Sequence, residues 1–78
     1  MDTIEKLTEI FIDVLDLKHL NLTRETTAND VEEWDSLSHI LLIVNIEKQF
    51  QIRFTSREIQ GWKNVGEMID CIEKKVAL

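Results

Sequence analysis

The sequence predicts an all-α fold: a small four-helix bundle with three long helices, one short helix and a long loop between helices 1 and 2. Three observations predict it. Apolar residues recur at helical spacing in three separate stretches. Pairs with the spacing of helix-opening capping boxes precede helical stretches. The chain has two Gly and no Pro in 78 residues, too few for the tight turns of a β-sandwich or barrel. At 9.2 kDa with 44% hydrophobic residues, residues 1–78 hold one domain and enough apolar material for one core.

The first helix follows from Ile4, Leu7, Phe11, Val14 and Leu15, which share one face. Asp2 with Glu5 has capping-box spacing, and together these predict a helix over about 3–17. Periodicity then stops. Residues 18–34 are polar (Asn21, Thr23, Thr26, Thr27, Asn29, Asp30) with only Leu20, Leu22, Val31 and Trp34 as apolar anchors. That pattern predicts a long surface crossover pinned to the core at those four points, and connections of this length are often functional.

Asp35 is a good N-cap for a second helix over 36–51, with Ser36 as its first residue. Thr55 with Glu58 opens a short helix over 56–61, which Gly61 ends. Asn64 with Glu67 opens the last helix, 65–76, whose apolar stripe is Val65, Met68, Ile69, Ile72 and Val76.

The second helix has two apolar faces. At 100° per residue, His39, Leu42, Ile43, Ile46 and Phe50 form one cluster, and Leu37, Ile40, Leu41 and Val44 form another. A surface helix needs a single stripe to join the core. The first cluster, wider and containing Phe50, is the expected core face. The second is expected to be a docking strip for a protein partner, next to an acidic loop.

Net charge is −6. Residues 1–47 hold 11 acids and 3 bases, residues 48–78 hold 4 acids and 6 bases, and no Lys or Arg lies between Glu25 and Glu47. Nucleic acid is a poor partner for such a chain, whereas a basic protein surface suits its acidic part. One cysteine, Cys71, allows no internal disulfide and no thiolate zinc cluster, and is expected to be a packed thiol. His19 and His39 lack acids at ligand spacing, and Asp13 with Asp16 lacks the glycine of a calcium loop, so no metal site is expected. Ser36 with His39 lacks the elbow and orienting acid of a hydrolase, so no catalytic residue is assigned. No signal peptide is visible, and the longest apolar run, Ile40 to Val44, is far too short to span a bilayer. A monomer in the cytoplasm is the expectation.

The helix start carries the most specific signal. Asp35-Ser36-Leu37 places a hydroxyl where free N–H groups and the helix dipole favour a phosphate. An acidic loop precedes it, and Phe50, Ile52, Phe54, a capped short helix and Trp62 follow. This arrangement resembles the acyl carrier protein family over essentially the whole chain. Asp35-Ser36-Leu37 matches the family's attachment motif, and Leu42, Ile46, Phe50, Ile52 and Val65 fall where it keeps apolar core residues.

The resemblance implies a carrier rather than an enzyme. It implies 4′-phosphopantetheine, taken from coenzyme A and attached to Ser36 by a holo-carrier-protein synthase, a phosphopantetheinyl transferase. The arm's thiol would hold an acyl group as a thioester for fatty-acid, modified-lipid or polyketide-type biosynthesis. Asp35 would cap the helix and flank the arm with Leu37. Leu37, Ile40, Leu41, Val44 and Glu47 would meet the transferase and acyl-loading enzymes through basic or apolar docking faces.

Some residues depart from the fatty-acid type. Glu32, Glu33 and Trp34 stand where a Gly is usual, Ser38 and Leu41 where acids are frequent, and Lys48 beside Glu47. Trp34-Asp35-Ser36-Leu37-Ser38-His39 is similar to specialised free-standing carriers of secondary-metabolite, modified-lipid or surface-polysaccharide pathways. Without the resemblance, a small acidic helical adaptor that is never modified fits the composition equally well.

Overall fold

Four helices run in the order α1 (Thr3–Leu15), α2 (Ser36–Phe50), α3 (Ser56–Gly61) and α4 (Val65–Val76) in a computed structural model that describes residues 3–76. The expected boundaries of α3 and the expected start of α4 are met, and α4 is helical to the last described residue, while α1 and α2 stop earlier than predicted. At the end of α1, Asp16 turns left-handed at φ 56°, and the Leu17 N–H returns to the Ile12 carbonyl at 2.9 Å. At the end of α2, Gln51 does the same at φ 57°, with the Ile52 N–H on Glu47 O at 3.1 Å. Both are Schellman closures made without glycine. Asp tolerates that conformation through its short polar side chain, and Gln51 adopts it at some cost. Gly61, by contrast, ends α3 without a positive φ.

The capping boxes vary in completeness. Thr55 Oγ1 accepts from Glu58 N, and a Glu58 oxygen accepts from Thr55 N, the full reciprocal pair. Asn64 Oδ1 accepts from Glu67 N, but Glu67 reaches one residue further back, to the Lys63 N–H. The Asp2–Glu5 pair falls on Asp2, outside the described residues. Glu58 also takes Lys75 at 3.0 Å, which ties α3 to the last turn of α4. The Thr55 N–H and then Lys75 hold its carboxyl down to about 2.

The core gathers Leu7, Phe11 and Leu15 from α1, Leu42 and Ile46 from α2, and Val65, Met68, Ile69 and Ile72 from α4. α1 packs on both α2 and α4. Leu22, Val31 and Trp34 pin the α1–α2 connection into this core, and Leu20 packs half-buried against it. Phe50 and Ile52 are half-buried rather than central, and Val76, expected on the α4 stripe, is exposed. No helix is long and apolar enough to cross a membrane among the described residues.

The connection also closes the start of α4. The Val65 N–H donates to Thr26 O at 2.9 Å and the Gly66 N–H to Arg24 O at 2.7 Å, so loop carbonyls satisfy donors the helix leaves open. Arg24 then pairs with Asp70 one turn further along. This close approach is what requires Gly66, since a Cβ there would stand 3.0 Å from Arg24 O and 3.2 Å from Arg24 Cβ. A Cβ on Gly61 would meet nothing within 4 Å.

The two glycines therefore separate in thermal melts. Gly61→Ala gains about 0.4–1 kcal/mol by restricting the unfolded chain. Gly66→Ala loses about 1 kcal/mol or more as the loop backbone is pushed away. For a domain this size, each kcal/mol moves the melting temperature by roughly 4–8 °C. Equal effects at the two sites would contradict the loop–α4 contact.

Candidate functional site

The start of α2 is fixed from beneath by Trp34. Its indole is buried, meets the Phe11 ring edge-on at a centroid distance of 4.9 Å, and donates Nε1–H to His39 Nδ1 at 3.0 Å. His39, expected on the core face of α2, is thus tied to Trp34 by a hydrogen bond. That bond spans the first turn of the helix, and of the four residues in between, Asp35, Ser36 and Leu37 are exposed while Ser38 is half-buried.

Asp35 is the N-cap, as expected. Its Oδ1 accepts from the Ser38 N–H at 2.9 Å. The Ser38 hydroxyl in return accepts from the Asp35 N–H at 2.7 Å and donates to the Glu33 carbonyl at 2.9 Å. Sequence reasoning missed Ser38. The signal was present as Asp35-x-x-Ser38, a capping box with a hydroxyl where Glu or Gln is the familiar partner. The N–H and hydroxyl of Ser38 hold the Asp35 carboxyl below its ordinary value.

Ser36 is therefore the first residue of a rigidly started helix. It is exposed, and its hydroxyl makes no hydrogen bond to any described residue. It sits on the rim of an open cleft of about 760 Å³ between the α1–α2 connection, the start of α2 and α3. Trp34, His39, Ile40, Ile59 and Trp62 line that cleft, with Asn29, Gln60 and Lys63 among its polar residues.

The second apolar face of α2 is solvent-exposed: Leu37 by 70%, Ile40 by 60%, Leu41 by 48% and Val44 by 44%. Leu42, Ile43 and Ile46 are buried, so the two faces divide as their angles predict. Glu47 differs from its expected place on the outer strip. It is half-buried, and its carboxylate accepts from the Phe54 N–H at 2.9 Å, which holds the α2–α3 connection. Cys71 is also half-buried, with Sγ 3.6 Å from a Glu58 oxygen. Burial first, and then the Glu58 carboxylate, push its thiol above the ordinary range. A raised value disfavours the reactive thiolate.

Residues 5–72 match the family model described as the phosphopantetheine attachment site. The chain belongs to the acyl carrier protein family. It is 32% identical over 72 residues to an acyl carrier protein of Porphyromonas gingivalis, covering 92% of each chain. It is 33% identical over 75 residues to one of Streptococcus pyogenes, covering 96% of this chain and 97% of that one. Among solved structures it resembles the solution structure of a holo acyl carrier protein from Geobacter metallireducens. There the TM-score is 0.91 at 49% identity, over 99% of this chain and 88% of the other. The unmodified-adaptor reading finds no support in these matches.

The family's group is covalently attached 4′-phosphopantetheine, and the start of α2 fits it. A phosphodiester there would meet the positive end of a fifteen-residue helix. The Asp35 carboxylate already occupies the Ser38 N–H. An anion at Ser36 would therefore stay on the solvent side of the cap.

The cap has a pH signature. A carboxyl with a lowered folded-state value stabilises the fold above the unfolded value and loses that contribution as pH falls through the folded one. Asp35→Ala should therefore melt below the wild type between pH ~5 and 7, with the gap closing below pH ~4. Melts across that range check it, and a gap that persists unchanged at pH ~2 would contradict the assignment.

Proposed function

We propose that Ser36 is the residue to which the 4′-phosphopantetheine arm is attached. We propose further that the exposed face of α2 is where partner enzymes dock. The supporting observation is the free, exposed hydroxyl at the first residue of α2, between the capping Asp35 and the exposed Leu37. Ser56 also begins a helix, but a six-residue one behind Thr55. The Ser38 hydroxyl is committed to the cap.

No residue beside Ser36 would activate it as a base. Asp35 is engaged with Ser38, and the His39 Nδ1 with Trp34. The proton on Ser36 Oγ must then leave to a group on the transferase as the Oγ–P bond forms and the coenzyme A nucleotide departs. When attached, the arm supplies a thiol that holds an acyl group as a thioester. The protein supplies position and recognition.

Leu37, Ile40, Leu41 and Val44 offer an apolar strip directly beyond Ser36. Ser38 stands where fatty-acid carriers often have an acid and is used internally, and Lys48 lies exposed toward the end of α2. A docking face this poor in acids supports a specialised carrier, serving transferases and acyl-loading enzymes whose faces are apolar.

Intact mass after incubation with coenzyme A and a broad-specificity transferase tests both parts. The wild type gains one arm and Ser36→Ala gains none. An unmodified wild type, or a modified Ser36→Ala, would overturn the reading. Leu41→Glu should keep the melting temperature, because the site is half in water, while loading slows by about tenfold or more as the carboxylate is forced against an apolar partner. Unfolding of that variant would make the strip part of the core.

A further inference from the structure

His39 has a second nitrogen that the fold does not use. Its Nδ1 accepts the Trp34 Nε1–H at 3.0 Å, so Nδ1 carries no proton. The neutral ring then holds its one proton on Nε2, because the bond at one nitrogen sets the tautomer of the other. The Trp34 and His39 rings lie 25° apart with centroids at 5.9 Å, as an edge-to-edge bond between nearly coplanar rings requires. The edge bearing Nε2 therefore faces away from Trp34. The imidazole also meets Trp62 at 6.3 Å and 74°, and Trp62 in turn packs edge-on against Phe54 at 4.9 Å.

His39 is half-buried in the wall of the cleft that has Ser36 on its rim, one helical turn away. No described residue accepts a hydrogen bond from it. A ring locked at one nitrogen, with an unused donor in a cleft that begins at the attachment serine, suits an oxygen atom close to that serine. The groups that could reach it are those nearest the phosphate on the arm, a hydroxyl and an amide carbonyl. Thiol-borne cargo at the far end is a poorer match for a donor one turn from Ser36.

We propose that His39 is a positioning residue for the arm: its Nε2–H, fixed by Trp34, hydrogen-bonds an oxygen in the proximal part of the 4′-phosphopantetheine and lays the arm in the cleft against Trp62. This rests on Ser36 bearing the arm. The arm then leaves the protein along the cleft instead of swinging freely from the helix end. The polar residues Asn29, Gln60 and Lys63 border its path. A carrier with an apolar residue at 39 would lack this hold.

The test compares apo and holo protein labelled with ¹⁵N, at pH ~8, above the ordinary imidazole range. Mass first confirms that Ser36 is loaded; failure at that step would overturn the attachment proposal and with it this one. In the apo protein, His39 should show a pyridine-type Nδ1 and a pyrrole-type Nε2. In the holo protein, the Nε2–H should become slower to exchange, and the methyls of the arm should show proton–proton contacts to His39 and Trp62. Loaded protein without arm contacts, or with the opposite tautomer, would overturn the role of His39 and leave the attachment standing. Holo His39→Gln, which can accept from Trp34 and donate outward, should retain the arm contacts, while holo His39→Leu should lose them. Apo melting temperatures of the two variants separate a folding defect from a lost hold. If His39→Leu fails to fold, the wild-type apo–holo comparison decides alone.

Discussion

The bond from the Trp34 indole to His39 is the constraint on which the site depends. The chain between α1 and α2 has no regular structure to orient it, yet α2 must start at one residue and present one hydroxyl. Trp34 solves this by burying its ring on Phe11 and bonding forward across the first helical turn. Asp35 then has one place to go, the cap, and its carboxylate and the Ser38 hydroxyl lock it there. Ser36 follows as the first residue that neither the core nor the cap consumes. Its availability is a consequence of everything around it being used.

The same economy runs through the rest of the domain. The connection pins its apolar residues into the core while its carbonyls close the start of α4, so a segment without helix or strand still satisfies its neighbours. α2 can leave four large apolar residues in water because Leu42 and Ile46 join the core from its opposite face. An exposed strip of that kind costs solubility in an isolated protein. Its place beside a free serine supports the docking role proposed for it.

Much of this was legible in the sequence, for identifiable reasons. The two faces of α2 could be read because helical angles depend only on residue number. Asp35 and Thr55 could be read because N-caps are local. The helix ends were less legible, since Asp16 and Gln51 take the left-handed conformation without the glycine that announces it. The bond that half-buries Glu47 was not legible, because nothing in its own helix points to the Phe54 N–H seven residues on. Gly66 carried no local signal either, because its need comes from Arg24 across the fold. Ser38 is legible as a cap partner from its spacing to Asp35, although the hydroxyl stands where an acid is the familiar signal.

Trp34 holds the start of α2 specifically, rather than adding to stability in general. Amide and indole hydrogen exchange in the wild type and in Trp34→Phe tests this most directly. The wild-type Trp34 indole proton should be protected about as well as the amides of Leu42 and Ile46, which are buried in the middle of α2. In Trp34→Phe, protection at Ser38 and His39 should fall by more than protection at Leu42 and Ile46. A uniform fall across all four, or an indole proton in the wild type that exchanges as freely as an exposed one, would contradict it.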